Sequence, residues 1–410
     1  MGRLAVEERE DWRWWVTPKP LARKPIHRWY VFPHSFTSEL VHALAAEWGL
    51  TSQDHILDPF VGAGTTVLAA KEMGIPATGY DLSPLAVFAT NVKITNYNLS
   101  RLRALWSCLR SRIDPALWKD VTKDYSELVR KALPGKLLGA FDAMDRAIAE
   151  LKEASDLERS FFRLGLLATM RRHSRAVAEG GWLRWVDRKS SVERALADFV
   201  ESVELMILDI DNISVPRGSF WKAKEADARS LPDADATYSA VITSPPYPNR
   251  HDYTRVFGVE LMFGFLDWEQ TRQLRYQSFH SHPEARPLRP KANGYVQPSR
   301  LAQTLGEIRR KEKDPRVNGM IEGYFLDLYL VLREVGRVCK PKARVAFVVG
   351  NAQYRGVSLP VDELTAELGK QAGLECEKLL VARYRGNSAQ QMGKYGRNPS
   401  RESVVVFRRP

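Results

Sequence analysis

The run Asp58-Pro59-Phe60-Val61-Gly62-Ala63-Gly64-Thr65-Thr66 puts an acid, two glycines and two hydroxyls into one short stretch. Gly62 and Gly64 allow positive φ and a close approach of backbone to ligand. A helix opening at Thr65 and Thr66 offers unpaired N–H groups at the positive end of its dipole. Asp81 ends the next apolar run, where a carboxylate can accept both hydroxyls of a ribose. The loop has neither the lysine of a Walker sequence nor the third glycine of the dinucleotide fingerprint. Asp58 repels phosphate and attracts ammonium, so a nucleoside carrying an amino acid fits better than a pyrophosphate. S-adenosylmethionine has that form. An ordinary glycine-containing βα turn is the alternative.

A second run, Thr243-Ser244-Pro245-Pro246-Tyr247, leaves an apolar stretch at Val241 and Ile242. Consecutive prolines fix φ and donate no N–H, which holds the carbonyls before them at the rim of a cleft. Ser244 and that carbonyl region can accept both hydrogens of an exocyclic NH2, while the Tyr247 ring stacks on a base. Taking both hydrogens aims the nitrogen lone pair at an electrophile. A base inside a duplex cannot reach such a loop unless it is flipped out. A proline-stiffened turn with a surface tyrosine is the competing reading.

These runs require strands ahead of them and helices behind. Ile56–Leu57, Ala77–Tyr80 and Ser239–Thr243 read as strands, and Thr65–Met73 as a helix stopped by Gly74, an alternation that predicts a parallel α/β sheet. Apolar spacing predicts further helices over Ser38–Trp48 (Ser38 as N-cap), Gly323–Val338 and Val361–Gly373. Arg344–Val349, Leu379–Arg383 and Ser403–Arg408 supply later strands. Residues 100–213 have almost no strand texture and read as a helical insertion. Tryptophans at 12, 14, 15 and 29 among prolines read as an irregular arm docked on the body. The expected division is 1–97, arm and first part of the catalytic domain; 98–215, helical insertion; 216–410, second part, with a basic segment near 270–318.

The chain has 410 residues and a formal net charge of +12, with mean hydropathy −0.34. No apolar run approaches membrane-spanning length, and Met1–Trp15 lacks the apolar core of a secretory signal. Three scattered cysteines, Cys108, Cys339 and Cys376, make no metal-ligand spacing with the eight histidines. Neither a metal nor a disulfide framework is expected, and the setting is cytoplasmic. The surplus of base suggests an anionic partner, nucleic acid being the commonest.

Together, DPFVGAGTT and TSPPY resemble the amino-group DNA methyltransferases of restriction–modification systems, and SPPY the cytosine-N4 subset. The resemblance covers roughly 24–97 and 222–410. It implies the S-adenosylmethionine-dependent doubly wound sheet, seven-stranded and mostly parallel with an antiparallel end. It also implies DNA as partner, a restriction endonuclease encoded separately, and further cofactor residues: Phe36 and Thr37 before the glycine turn, Leu82 after Asp81, and Asp227 and Ala228 at the position that reads the adenine amino group. Two features depart from several SPPY enzymes: the glycine turn precedes SPPY, and the helical block lies between Asp81 and Asp227. Other readings on the same fold are adenine-N6 methylation or RNA as substrate; a third is a catalytically inactive relative that only binds nucleic acid.

Three regions offer target contacts. Arg250 and Tyr253, after SPPY, are placed to hold a flipped nucleotide or its phosphate, unless Asp252 pairs internally with an arginine. Trp182 and Arg184 join a basic helix end to an aromatic turn suited to reading base edges or filling the gap a flipped base leaves. Residues 270–318 hold eleven Lys or Arg against four Asp or Glu, expected to be mostly a solvated loop with a minority on phosphates.

Overall fold

The computed structural model describes residues 4–113, 121, 123–213, 215–218, 220–386, 393, 396 and 399–410. Its strands are β1 (Val6–Glu8), β2 (Ile56–Asp58), β3 (Ala77–Asp81), β4 (Ala176–Glu179), β5 (Trp182–Trp185), β6 (Trp221–Glu225), β7 (Tyr238–Thr243), β8 (Cys339–Gly350), β9 (Ala352–Tyr354), β10 (Val357–Leu359), β11 (Glu375–Arg385) and β12 (Ser400–Arg408). The helices are α1 (Ser38–Glu47), α2 (Thr65–Glu72), α3 (Pro84–Ile94), α4 (Leu99–Arg112), α5 (Glu127–Ala132), α6 (Lys136–Ala149), α7 (Asp156–His173), α8 (Val192–Asn212), α9 (Tyr253–Val256), α10 (Gly258–Gly264), α11 (Trp268–Gln277), α12 (Ser299–Lys311), α13 (Arg316–Val338) and α14 (Val361–Gln371).

The main sheet runs β1-β11-β12-β8-β7-β2-β3-β6. Only β12 opposes its neighbours. The sheet therefore has eight strands, one more than the seven expected. The extra strand is β1, which pairs parallel with Leu379–Val381; three exposed residues carry no apolar alternation that a sequence could betray. Side-chain alternation along β8 explains the double winding. Val345, Phe347 and Val349 pack into the cluster built on α13, while Ala346 and Val348 turn to the opposite face with Leu40, Val41 and Leu44 of α1. Trp12 and Trp29 of the arm are buried, whereas Trp14 is exposed. The cap position of α1 falls on Thr37, one residue before Ser38.

The insertion is mostly helical, but it also contains the β4–β5 hairpin turned at Gly180-Gly181, a correction to the all-helical expectation. Four-residue strands are too short to register as a period. Apolar side chains from Ile56 and Val67 of the sheet domain continue without a break into Leu102, Phe141, Phe162 and Phe199 of the insertion, then to Phe257 and Phe263. Residues 270–318 are also more ordered than expected, since α11 and α12 occupy most of them. Arg275 pairs with Asp252 at 2.9 Å, Arg289 with Asp327 at 2.6 Å and Arg272 with Glu269 at 2.8 Å.

Candidate active site

The sheet reverses its winding between β2 and β7, the switch point where open α/β sheets hold ligands at the carboxyl ends of their strands. Four loops meet there: those after β2, β3, β6 and β7. Gly62 and Gly64 have φ of +50° and +84°. A side chain at Gly64 would lie 2.8 Å from the Thr90 hydroxyl, so both the backbone sign and the space demand glycine. Asp81 fixes the loop's height, because its two carboxylate oxygens accept from the Gly62 N–H (3.0 Å) and the Ser83 N–H (2.9 Å). From below, Lys93 donates to the Ala63 carbonyl at 2.8 Å and the Tyr30 carbonyl at 2.6 Å; burial pushes this ammonium down to about 7.

Asp58 is not where an ammonium-binding role requires it. It is buried behind the loop, accepting from the Thr243 hydroxyl at 2.6 Å and the Phe60 N–H at 3.1 Å. It thus ties the end of β2 to the end of β7, and burial raises its pKa to about 6. Thr66 makes a parallel tie to the Ile242 carbonyl at 3.1 Å, and the Thr65 hydroxyl meets that of Ser35 at 3.1 Å. Phe36 and Thr37 are buried too, Phe36 in the apolar layer beneath α1, and neither lines the cleft.

The cleft itself is about 890 Å³ including its open mouth. Pro59, Phe60, Gly62, Asp81, Leu82, Asp227 and Ala228 line one side, and Ser244, Pro246 and Tyr253 stand across from the glycine turn. Desolvation raises Asp81 to about 6. Asp227 is clamped by Arg229, whose Nε and Nη2 donate at 2.9 and 2.7 Å. Arg229 is nearly inaccessible and also meets Asp327 at 3.2 Å. Asp327, fully buried, in turn holds Arg289 and His280, and the surrounding cations keep its carboxyl low despite burial. An acid at each end of a mainly apolar trough suits a nucleoside: Asp81 toward ribose hydroxyls, Asp227 toward an amino group. The residues present therefore fit S-adenosylmethionine.

Ser244 donates to the Val348 carbonyl at 3.0 Å, which seats the loop on β8 and leaves the oxygen's acceptor capacity toward the cleft. Pro245 is buried, and Pro246 reaches the cleft. Tyr247 packs its ring on Gly350, where a Cβ would come within 2.9 Å, so it is a mostly buried wall, not a surface tyrosine. Arg250 (φ +65°) turns away to pair with Glu312 at 2.8 Å. Asp252 pairs internally, with Arg255 at 3.2 Å and Arg275 at 2.9 Å. Among the described residues Asp252, His282 and Glu284 have their ligand atoms within 4.8 Å of one another, but these two arginines already compensate the carboxylate charge.

The hairpin of the insertion stands beside this loop. A Cβ on Gly181 would lie 2.4 Å from the Arg250 carbonyl oxygen, and the Arg255 guanidinium sits 4.8 Å over the exposed Trp182 ring. Arg184, also exposed, pairs with Glu179 at 2.7 Å. Sequence reasoning missed the roof of the cleft, Phe257, Leu261, Leu274 and Phe279; their apolar spacing says helix without saying over what. It also missed Arg229, which stands two residues after Asp227 and could have been read as its partner.

No helix is long and apolar enough to cross a membrane among the described residues. No family model matches the chain. Type II methyltransferase M.AvaI of Nostoc sp. strain PCC 7120 is 28% identical over 420 residues, covering 94% of this chain and 87% of that protein. Type II methyltransferase M.MvaI of Kocuria varians is 23% identical over 381 residues, covering 84% and 81%. Type II methyltransferase M.BsoBI of Geobacillus stearothermophilus is 30% identical over 467 residues, covering 99% of this chain and 90% of its own. That identity, sustained along nearly the whole of both chains and set on a doubly wound sheet with a nucleoside-sized cleft at its switch point, makes the chain a member of the Type II methyltransferases, enzymes of restriction–modification systems that act on DNA with S-adenosylmethionine as cofactor.

Proposed function

We propose that the chain methylates the N4 amine of a cytosine flipped out of double-stranded DNA. The observation that carries this reading is the Ser244–Pro246 loop opening into the same cleft as Asp81 and Asp227, so that amine acceptor and cofactor acids face one space. The bound cofactor supplies an electrophilic methyl on a sulfonium. Asp81 and Asp227 hold the two ends of its nucleoside, with Arg229 keeping Asp227 in place. The Ser244 oxygen and the Ser244–Pro245 carbonyl region accept the hydrogens of the amine and so direct its lone pair inward. Tyr247 supports the base face from its seat on Gly350. In-line attack forms the N–C bond as the C–S bond breaks, and the amine then sheds one proton to solvent.

Serine at the first position of SPPY favours cytosine over adenine. Trp182, Arg184 and Arg255, gathered beside the catalytic loop, are the target-facing group, and the insertion that bears the hairpin is the recognition region. Tyr253 lines the pocket, whereas Arg250 serves the loop's conformation through Glu312. A separately encoded endonuclease with the same recognition sequence completes the system. Nucleoside analysis of plasmid DNA after incubation with protein and cofactor tests the reading. N4-methylcytosine is expected; N6-methyladenine transfers the activity to adenine, and methylated RNA alone overturns DNA as substrate.

A further inference from the structure

We propose that His34 is the second wall of the slot that receives the target base, facing Tyr247 across it. The inference rests on the base-methylating reading above and extends it to a residue from the N-terminal arm. His34 lines the cleft beside Ser244 and Pro246. Its ring centroid is 6.5 Å from that of Tyr247, with the planes inclined by 41°. Stacked bases repeat at about 3.4 Å, so a planar ring held between two others needs walls about twice that far apart. The inclination makes the slot a wedge, wider at one side.

The histidine is itself positioned. It stands edge-on to His251 at 4.3 Å and 90°, and His251 meets Tyr253 at 4.5 Å. His251 is 2% exposed, and its Nε2 has no hydrogen-bond partner in the protein. A buried polar atom left open at the edge of a functional cleft is one that a ligand can satisfy; the ring edge of a base offers such a partner. Burial lowers the pKa of both imidazoles, to about 3 for His251, so neither places a second cation beside the sulfonium.

The test uses the full-length protein, first assigned its methylated sequence, with a duplex carrying the target base and an otherwise identical duplex that is abasic there. His34→Ala should lower kcat/KM for DNA by roughly 5- to 150-fold, the range of one base–aromatic stack, and His34→Phe should recover most of it. The affinity of both variants for S-adenosylmethionine should stay within about twofold of the parent, and the binding deficit of H34A should vanish on the abasic duplex. An equal deficit on both duplexes, an unchanged kcat/KM, or no recovery in H34F overturns the proposal. A parent protein that methylates no exocyclic amine of DNA overturns the underlying reading and the slot with it.

Discussion

Asp81→Asn isolates the carboxylate that serves both the glycine loop and the cofactor. Each of its oxygens already accepts a backbone N–H, Gly62 at 3.0 Å and Ser83 at 2.9 Å. An amide offers one oxygen, so either orientation turns an NH2 toward one of those donors and removes the charge that ribose hydroxyls would meet. A hydrogen bond to a charged group contributes about 1.5–3 kcal/mol, and a buried donor left unpaired costs about 1–3 kcal/mol. Taken together at about 3–5 kcal/mol, the dissociation constant for S-adenosylmethionine should rise roughly 100- to 4,000-fold, at about 1.4 kcal/mol per decade.

Calorimetry at pH 8 measures this, and a pH series gives an internal control. Burial places the Asp81 pKa at about 6, so affinity in the parent should climb as pH rises through 6 and level off above. The variant should lose that dependence, except for any residue left by Asp58, which titrates in the same range behind the loop. Because both folded-state values lie above the ordinary carboxylate value, protonation favours the fold; these groups add stability at low pH and withdraw it as pH rises through 6. Lost affinity at pH 5 should therefore come without unfolding from this source. Binding by D81N within about threefold of the parent, or an unchanged pH slope, refutes the reasoning.

Three further outcomes are expected. Tyr247→Ala should leave cofactor affinity nearly intact and cut turnover on DNA by at least tenfold; weakened cofactor binding with normal turnover of the bound complex contradicts its place as a wall for the base. Asp327→Ala strips the compensating charge from the buried Arg229 and should cost about 3–5 kcal/mol, read as a lower denaturant midpoint together with weaker cofactor binding; an unmoved midpoint contradicts it. Gly181→Ala drives a methyl to within 2.4 Å of the Arg250 carbonyl oxygen, so the hairpin must shift, and DNA methylation should fall while cofactor affinity holds. Equal methylation rates contradict the docking.

The catalytic half of the fold was legible because parallel strands buried on both faces leave unbroken apolar runs, each ending in a residue with chemical character: Asp58, Asp81, Thr243. Strand ends and glycine signs are local matters, which sequence reports well. What escaped was set by tertiary geometry. Asp58 looks like a ligand residue by type, yet faces Thr243 across the switch point. Phe36 follows the family pattern but is consumed by the layer under α1. The positive charge of 270–318 is partly spent on Asp252 and Asp327, acids contributed by other segments. Arg250 reads as a phosphate hand and is instead held by Glu312, from the chain's basic stretch.

The unbroken apolar layer running from Ile56 through Phe162 to Phe263 bears on how this enzyme can change its target. Where a recognition unit has its own interior, whole units can be exchanged between relatives and new specificities arise by recombination. Here, cutting out the helices would strip cover from the sheet that holds the cofactor, and a foreign block would have to match that interface residue for residue. Diversification is thereby channelled to the β4–β5 hairpin, where Trp182, Arg184 and Trp185 are solvent-exposed and tolerate change. Specificity in this lineage should drift by point substitution at the hairpin, with chimeras joined inside 98–215 folding poorly.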